Sequence, residues 1–151
     1  MKKLDIYGKE VILSTVIRPE VSKKNKYWIS KHRYYELKHL CLQYKELKKT
    51  YNELIDFKTS NAVSTRVKKS INSSKVEDIA ILRHSIASRI DCIEDAAKET
   101  DEYFAKAILR SVTCGISYPK MKARYNIPCS KDMWYEMYRR FFFILSNKRD
   151  S

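Results

Sequence analysis

Reactive side chains are few in this sequence and lie far apart. Three histidines (His32, His39, His84) and four cysteines (Cys41, Cys92, Cys114, Cys129) are its supply of soft ligands and strong nucleophiles. His32 and His39 are seven residues apart, so they share a helix face, with Cys41 close by. A tetrahedral zinc site needs four converging ligands, and no ligand pair here has zinc-finger spacing. There is no Cys-x-x-Cys, no Gly-rich phosphate cradle and no nucleophile elbow. Carboxylates cluster once, at Asp91, Glu94, Asp95 and Glu99. They flank the apolar stripe of a single helical pattern, which is the arrangement of a solvated or partner-facing side rather than a two-metal site. The sequence therefore predicts a non-enzyme that uses no metal and no cofactor.

Charge is the stronger signal. The 151 residues hold 31 Lys+Arg against 18 Asp+Glu, net +13. A field of that sign favours a polyanionic partner: nucleic acid first, an acidic protein or anionic membrane second. The charge is unevenly spread. Residues 1–75 carry 18 basic and 7 acidic groups, residues 76–97 carry 2 and 5, and residues 98–151 carry 11 and 6. Two basic groups stand out, Lys120, Lys122 and Arg124 in one and Arg66, Lys68 and Lys69 in the other.

The elements that would carry these groups are helical. Only 2 Gly and 3 Pro occur, too few for many strands and tight turns. The expected class is all-α: a long helical hairpin followed by a C-terminal helix-turn-helix. No run approaches the ~18 apolar residues of a membrane span. The apolar stretch Val11–Ile17 is broken by Ser14 and Thr15, so no signal peptide is expected. Scattered thiols fit a reducing, cytoplasmic setting.

Residues 1–29 read as an N-terminal arm, with Glu10–Ile17 a short strand or an extended segment. Residues 30–57 read as a long amphipathic helix capped by Ser30, whose hydroxyl can accept from first-turn amides. Leu37, Cys41, Tyr44, Tyr51 and Ile55 form its stripe, with Leu40, Leu47 and Leu54 beside them. Tyr27 or Trp28 is expected to staple onto its start. Residues 58–73 are basic and rich in small polar residues, and read as a linker. Ser74 and Glu77 fit a capping box for a second long helix to about Lys98, with Ile79, Leu82, Ile86, Ile90, Ile93 and Ala97 inward. The two helices would form an antiparallel hairpin that carries the core, with homodimerisation a further option.

Residues 74–151 then close with a helix-turn-helix. A helix over 101–112 ends at Gly115, which tolerates the left-handed conformation. Ser117 caps a short helix to about Arg124, and Tyr125–Pro128 is a turn. Ser130 caps a final helix to about Leu145, bearing Met133, Trp134, Met137, Phe141, Ile144 and Leu145. Such a unit places the last helix in a major groove by its N-terminal end. The groove-facing candidates are Ser130, Lys131, Asp132, Tyr135 and Glu136. Lys120, Lys122, Arg124 and Arg139 would lie near phosphates, which supply affinity, while base-edge contacts supply specificity. The linker cations Arg66, Lys68 and Lys69 would add phosphate contacts. Trp134, Phe141 and Phe142 read as core, and Phe143 as an exposed contact.

The stretch Ile108–Leu145, with its Tyr118-Pro-Lys-Met-Lys-Ala-Arg-Tyr-Asn-Ile-Pro-Cys-Ser-Lys-Asp-Met-Trp-Tyr-Glu-Met-Tyr core, resembles the C-terminal part of phage and prophage regulators of the RinA/ArpU type. Upstream, Trp28–Lys38 and the Ser64-Thr65-Arg66 link are similar in layout. The likeness is closest over residues 74–146, and its motifs are structural rather than catalytic. It implies a sigma-factor region-four-like DNA-binding end, action on phage late genes in a bacterial host, and a DNA-reading helix over Ser130–Arg140. The aromatic ending Trp134…Phe141-Phe142-Phe143 departs from that pattern and is heavier than a reading helix needs. Two alternatives stand beside it. One is a phage-encoded interaction protein or inhibitor that binds a host RNA polymerase or another host nucleic-acid enzyme. The other is a DNA-packaging small subunit.

Overall fold

Ser30 caps the first described helix as its residue type predicts. In the computed structural model, which describes residues 23–63 and 73–151, its hydroxyl accepts from the Arg33 amide. Six α-helices and no strand occur among the described residues: α1 Lys31–Leu42, α2 Tyr44–Val63, α3 Ser73–Thr100, α4 Ala105–Cys114, α5 Tyr118–Tyr125 and α6 Lys131–Asp150. The fold is all-α. The expected N-terminal strand or arm lies mostly outside the described residues, and Arg66, Lys68 and Lys69 lie wholly outside them.

The helix expected over 30–57 is two helices. Its path bends at Gln43, whose amide is shared between the carbonyls of His39 at 3.2 Å and Leu40 at 3.1 Å. That tighter turn redirects the chain without breaking it, because the Leu47 amide still reaches the Gln43 carbonyl. Before the bend, α1 points Tyr34, Leu37 and Cys41 into the core. After it, α2 lies along α3. Beyond residue 57 the expected linker does not begin at once, since α2 continues through Val63. Small polar residues are poor helix formers but not helix breakers, and neither Gly nor Pro interrupts them. The second long helix starts at Ser73, one residue before the expected cap.

The core does not sit in the hairpin. It sits where α1, the C-terminal half of α3, α4 and α6 converge, around Leu37, Cys41, Ile93, Ala96, Ala97, Ile108, Trp134, Phe141, Phe142 and Leu145. On the outer half of α3, Val76, Ile81 and Leu82 are exposed. Ala96 and Ala97 are fully covered, as expected where small side chains let two helices approach. At the end of α3, the Thr100 hydroxyl donates to the Ala96 carbonyl at 2.7 Å. The Asp101 carboxylate accepts from the Phe104 amide at 3.0 Å. This capped turn delays α4 to Ala105, four residues later than its apolar pattern implies. Gly115 ends α4 in the left-handed region at φ 64°, as expected.

Aromatic rings seal α1 to α6. Phe142 lies 4.9 Å from Tyr34, 4.9 Å from Tyr138 and 5.0 Å from Phe141, centroid to centroid. The Tyr34 and Tyr138 hydroxyls share a hydrogen bond at 3.3 Å. Burial pushes the pKa of both phenols up, Tyr138 well above its usual value, so both stay protonated and able to donate. Tyr27 packs on Phe143, 5.7 Å away, rather than on α1. Phe143 is therefore half-buried rather than an open contact. The residue covered at the start of α1 is Ile29, not Trp28.

Polar ties flank the aromatic seal. The Arg33 guanidinium donates to the Ser146 hydroxyl at 3.0 Å and to the Ser146 carbonyl at 3.1 Å, and pairs with Glu36 and Asp150. Charged hydrogen bonds contribute about 1.5–3 kcal/mol, and exposed ion pairs much less. Arg33→Ala should therefore lower stability by about 2 kcal/mol in urea unfolding. Arg33→Lys should restore only part of it, because an ammonium cannot hold both oxygens of Ser146 as the guanidinium fork does. An unchanged midpoint for Arg33→Ala would show that the tie contributes nothing.

At the bend, the Glu94 carboxylate accepts from the Tyr44 hydroxyl and pairs with Lys48 at 2.7 Å. Burial raises the Glu94 pKa, but hydrogen bonds from Lys48 and Tyr44 and the charges of Lys48 and Lys98 outweigh it, leaving the pKa below its usual value. The ionised form therefore stabilises the fold. Its contribution is complete above the ordinary carboxyl value of 4.5 and is lost as pH falls through the depressed one. Lys48 is shifted up by the same hydrogen bonds, so its contribution holds below 10.5 and fades as pH rises beyond. Glu94→Gln should flatten the acid limb of a stability–pH curve measured from pH 3 to 6. A parallel curve would argue against the coupling.

Candidate nucleic-acid interface

α4, α5 and α6 follow one another as helix, short helix and long helix, joined by tight turns. Each joint has a local chemical cause. Ser117 has the extended backbone of an N-cap, although its side chain makes no capping bond. The α5 start rests instead on Pro119 in the first turn, where a missing amide costs nothing. α5 ends at Asn126 in the left-handed region, φ 44° and ψ 48°, its amide bonded to the Lys122 carbonyl. Asn tolerates this conformation better than most residues. Ile127 and Cys129 are buried and anchor the turn. The Tyr118 hydroxyl crosses from α5 to donate to the Cys129 carbonyl at 2.9 Å. Burial pushes the Cys129 thiol up, against the opposing charge of Lys122. Ser130 then caps α6 by accepting from the Met133 amide at 3.2 Å.

The buried stripe of α6 is Trp134, Met137, Phe141, Phe142, Leu145 and Ser146. Met133, expected inward, is exposed. Lys131, Asp132, Glu136 and Arg140 are exposed as well, while Tyr135 and Arg139 are half-buried. The first turn of α6 is thus an open polar surface, with Lys131 5.7 Å over the Tyr135 ring. Asp132 sits where a carboxylate complements the positive end of the helix dipole.

The phosphate candidates differ in how free they are. Lys120, Lys122 and Arg124 are all exposed. Lys120 and Arg124 are four apart on α5 and share a face. Lys122 lies elsewhere on the helix, and its ammonium donates to the Ile127 carbonyl at 2.8 Å. It holds the turn. Arg139 pairs with Glu136 at 3.3 Å, so part of its charge is answered within α6. The Ser130 oxygen is occupied as a cap acceptor, which leaves its hydroxyl proton as the group available to a partner.

Two further cations lie on α4 without any local motif to announce them. Lys106 and Arg110 are four apart, and the Arg110 guanidinium lies 4.5 Å over the Tyr125 ring. Residues 105–140 carry eight basic groups and two acidic ones, net +6. Residues 76–104 carry three basic and eight acidic, net −5. Two of the four carboxylates of the acidic cluster are in ion pairs, Glu94 with Lys48 and Glu99 with Lys148 at 2.8 Å. Lys106 and Arg110 were visible in the sequence as a basic i, i+4 pair, but the Tyr125 contact that fixes Arg110 depends on how α4 meets α5.

The residues first weighed as ligands do not converge. His32, His39 and His84 are exposed and Cys41 is buried, its thiol pushed far up by burial. Among the described residues no three His, Cys, Asp or Glu side chains are placed to hold a metal ion. No helix among them is long and apolar enough to cross a membrane. All four cysteines are free thiols, with Cys114 the exposed one.

Comparison of the chain with protein-family models, with curated proteins and with solved structures returns no match.

Proposed function

We propose that the chain is a duplex-DNA-binding regulator of phage or mobile-element genes, acting through α4, α5 and α6. The supporting observation is the exposed first turn of α6, which follows a five-residue turn ending in the Ser130 cap, with the exposed cations Lys120 and Arg124 on the preceding helix α5. In this reading Lys131, Asp132, Tyr135 and Glu136 meet base edges. An acid there can accept from a cytosine amino group. Lys120, Arg124 and, more weakly, the partly paired Arg139 meet phosphates. Lys122 contributes by keeping the α5–α6 turn in shape. The likeness of Ile108–Leu145 to RinA/ArpU-type regulators supports the same reading.

A second reading rests on a different surface. Val76, Ile81 and Leu82 are exposed on the outer half of α3, where Lys75 and Arg83 balance Glu77 and Asp78. They suit a protein partner, as in an interaction protein that holds a host polymerase or nuclease, or a homodimer built on the hairpin.

Binding to random duplex DNA at two salt concentrations separates the two. If about six phosphates are neutralised, log affinity should fall against log salt with a slope of about −5. Lys120→Ala with Arg124→Ala should weaken binding and make the slope shallower by about 2. Lys122→Met should show mainly in thermal stability. A flat salt response, or affinity unchanged in the Lys120/Arg124 double variant, would move the assignment to the interaction protein.

A further inference from the structure

A cleft of about 310 Å³ opens between α4 and the end of α5, beside the turn that leads into α6. Its floor is apolar, with Phe104 and Met121 buried beneath it. Its rim is aromatic and cationic. Tyr103 is 77% exposed, meeting Phe104 edge to face and leaving most of its ring open. Tyr125 is 41% exposed and carries the Arg110 guanidinium on its ring. Lys106 is exposed one helical turn before Arg110. No carboxylate is among the side chains that line the cleft. Its size lies at the small end of the range that holds a ligand, about 300–1,000 Å³.

Aromatic faces and cations without acids form the combination that binds single-stranded nucleic acid, where each base offers a ring to stack and each phosphate a charge to meet. A paired duplex offers neither a free ring face nor a shape that enters a concave site. We propose that the α4–α5 cleft binds one unpaired nucleotide, its base against Tyr103 over the apolar floor and its phosphate on Lys106 and Arg110. Stacking on Tyr125 holds Arg110 in place before the nucleotide arrives, so little side-chain freedom is lost on binding. The site is separate from the α6 surface, and the proposal stands or falls independently of duplex binding. The nucleotide is either free in solution or part of a single strand.

The test uses the full chain and a fluorescein-labelled dT12 oligonucleotide in anisotropy titrations at about 0.3 M salt, where exposed charges are largely screened. The variants are Tyr103→Ala with Lys106→Ala, Tyr103→Phe, and Lys120→Ala with Arg124→Ala. Tyr103 and Lys106 are exposed, and circular dichroism checks that the fold is kept. Loss of one stacked base costs about fivefold or more in affinity. The Tyr103/Lys106 variant should therefore weaken dT12 at least about fivefold while leaving duplex binding within about twofold. Tyr103→Phe should keep dT12 binding, because the ring is what stacks. Competition by millimolar dTMP would mean that free nucleotides also enter, and its failure would confine the site to single strands. Four results would overturn the proposal: no dT12 binding, dT12 binding that the Tyr103/Lys106 variant retains, an equal loss for duplex and single strand in that variant, or poly-glutamate binding as strong and as variant-sensitive as that of dT12. The last would mean that the cleft takes acidic peptide instead.

Discussion

The whole arrangement depends on burying one half of α6. Trp134, Phe141, Phe142 and Leu145 are each within 2% of full burial, and truncating any one such aromatic costs about 3–5 kcal/mol. That penalty fixes the rotation of α6 about its own axis. With 3.6 residues per turn, a stripe centred on Trp134, Phe141 and Leu145 leaves Asp132, Glu136, Arg140 and Asn147 on the opposite side. All four are exposed. The outward face of the first turns is therefore set by the inward face of the last ones. The partner of that inward face comes largely from the other end of the described chain: Tyr34 on α1 meets Phe142 and Tyr138 across more than 100 residues of sequence. The long loop this contact closes adds only a logarithmic entropy cost, and it fastens the first described helix to the last.

A second consequence is electrical. The chain passes from an acidic segment, residues 76–104 with net −5, to a basic one, residues 105–140 with net +6. Charges that would cancel if mixed are instead sorted onto different elements. Such sorting gives the protein a preferred orientation before contact, because the basic helices are drawn toward a polyanion and the acidic helix is turned from it. It also separates surfaces by chemistry. Phosphate-compatible cations lie on α4 and α5, while the exposed aliphatic residues Val76, Ile81 and Leu82 lie on the outer half of α3. A single chain can in this way present two kinds of surface without one interfering with the other.

Local chemistry was legible in the sequence and tertiary compromise was not. Ser30 and Ser130 as caps, Gly115 as a left-handed terminator and the α6 core stripe all follow from rules that act within a few residues. The bend at Gln43 has no Gly or Pro to mark it. It arises because α1 must face α4 and α6 while α2 must face α3. The core was expected in the hairpin because both long helices carry apolar stripes. In the outer part of those stripes, residues such as Leu82 stay exposed. Lys122 was grouped with Lys120 and Arg124 on proximity alone. Helical geometry separates them, and the Ile127 carbonyl claims its ammonium. Arg110 and Tyr125, fifteen residues apart, could not be paired without knowing how α4 meets α5.

The aromatic ending of α6 leaves its first turns free for the proposed contact with DNA. Twenty residues span about 30 Å. A helix end that enters a major groove uses its first two or three turns. Those turns, Lys131 to Arg140, hold five of the eight charged residues of α6. The following turns hold Phe141, Phe142 and Leu145 and cross α3 and α1. Within the first turns the charges sit around the circumference from Trp134 and Met137, away from the buried stripe that would desolvate them. The heavy aromatic ending is the anchor of α6: packed against α1 and α3, it holds the angle of the exposed first turns.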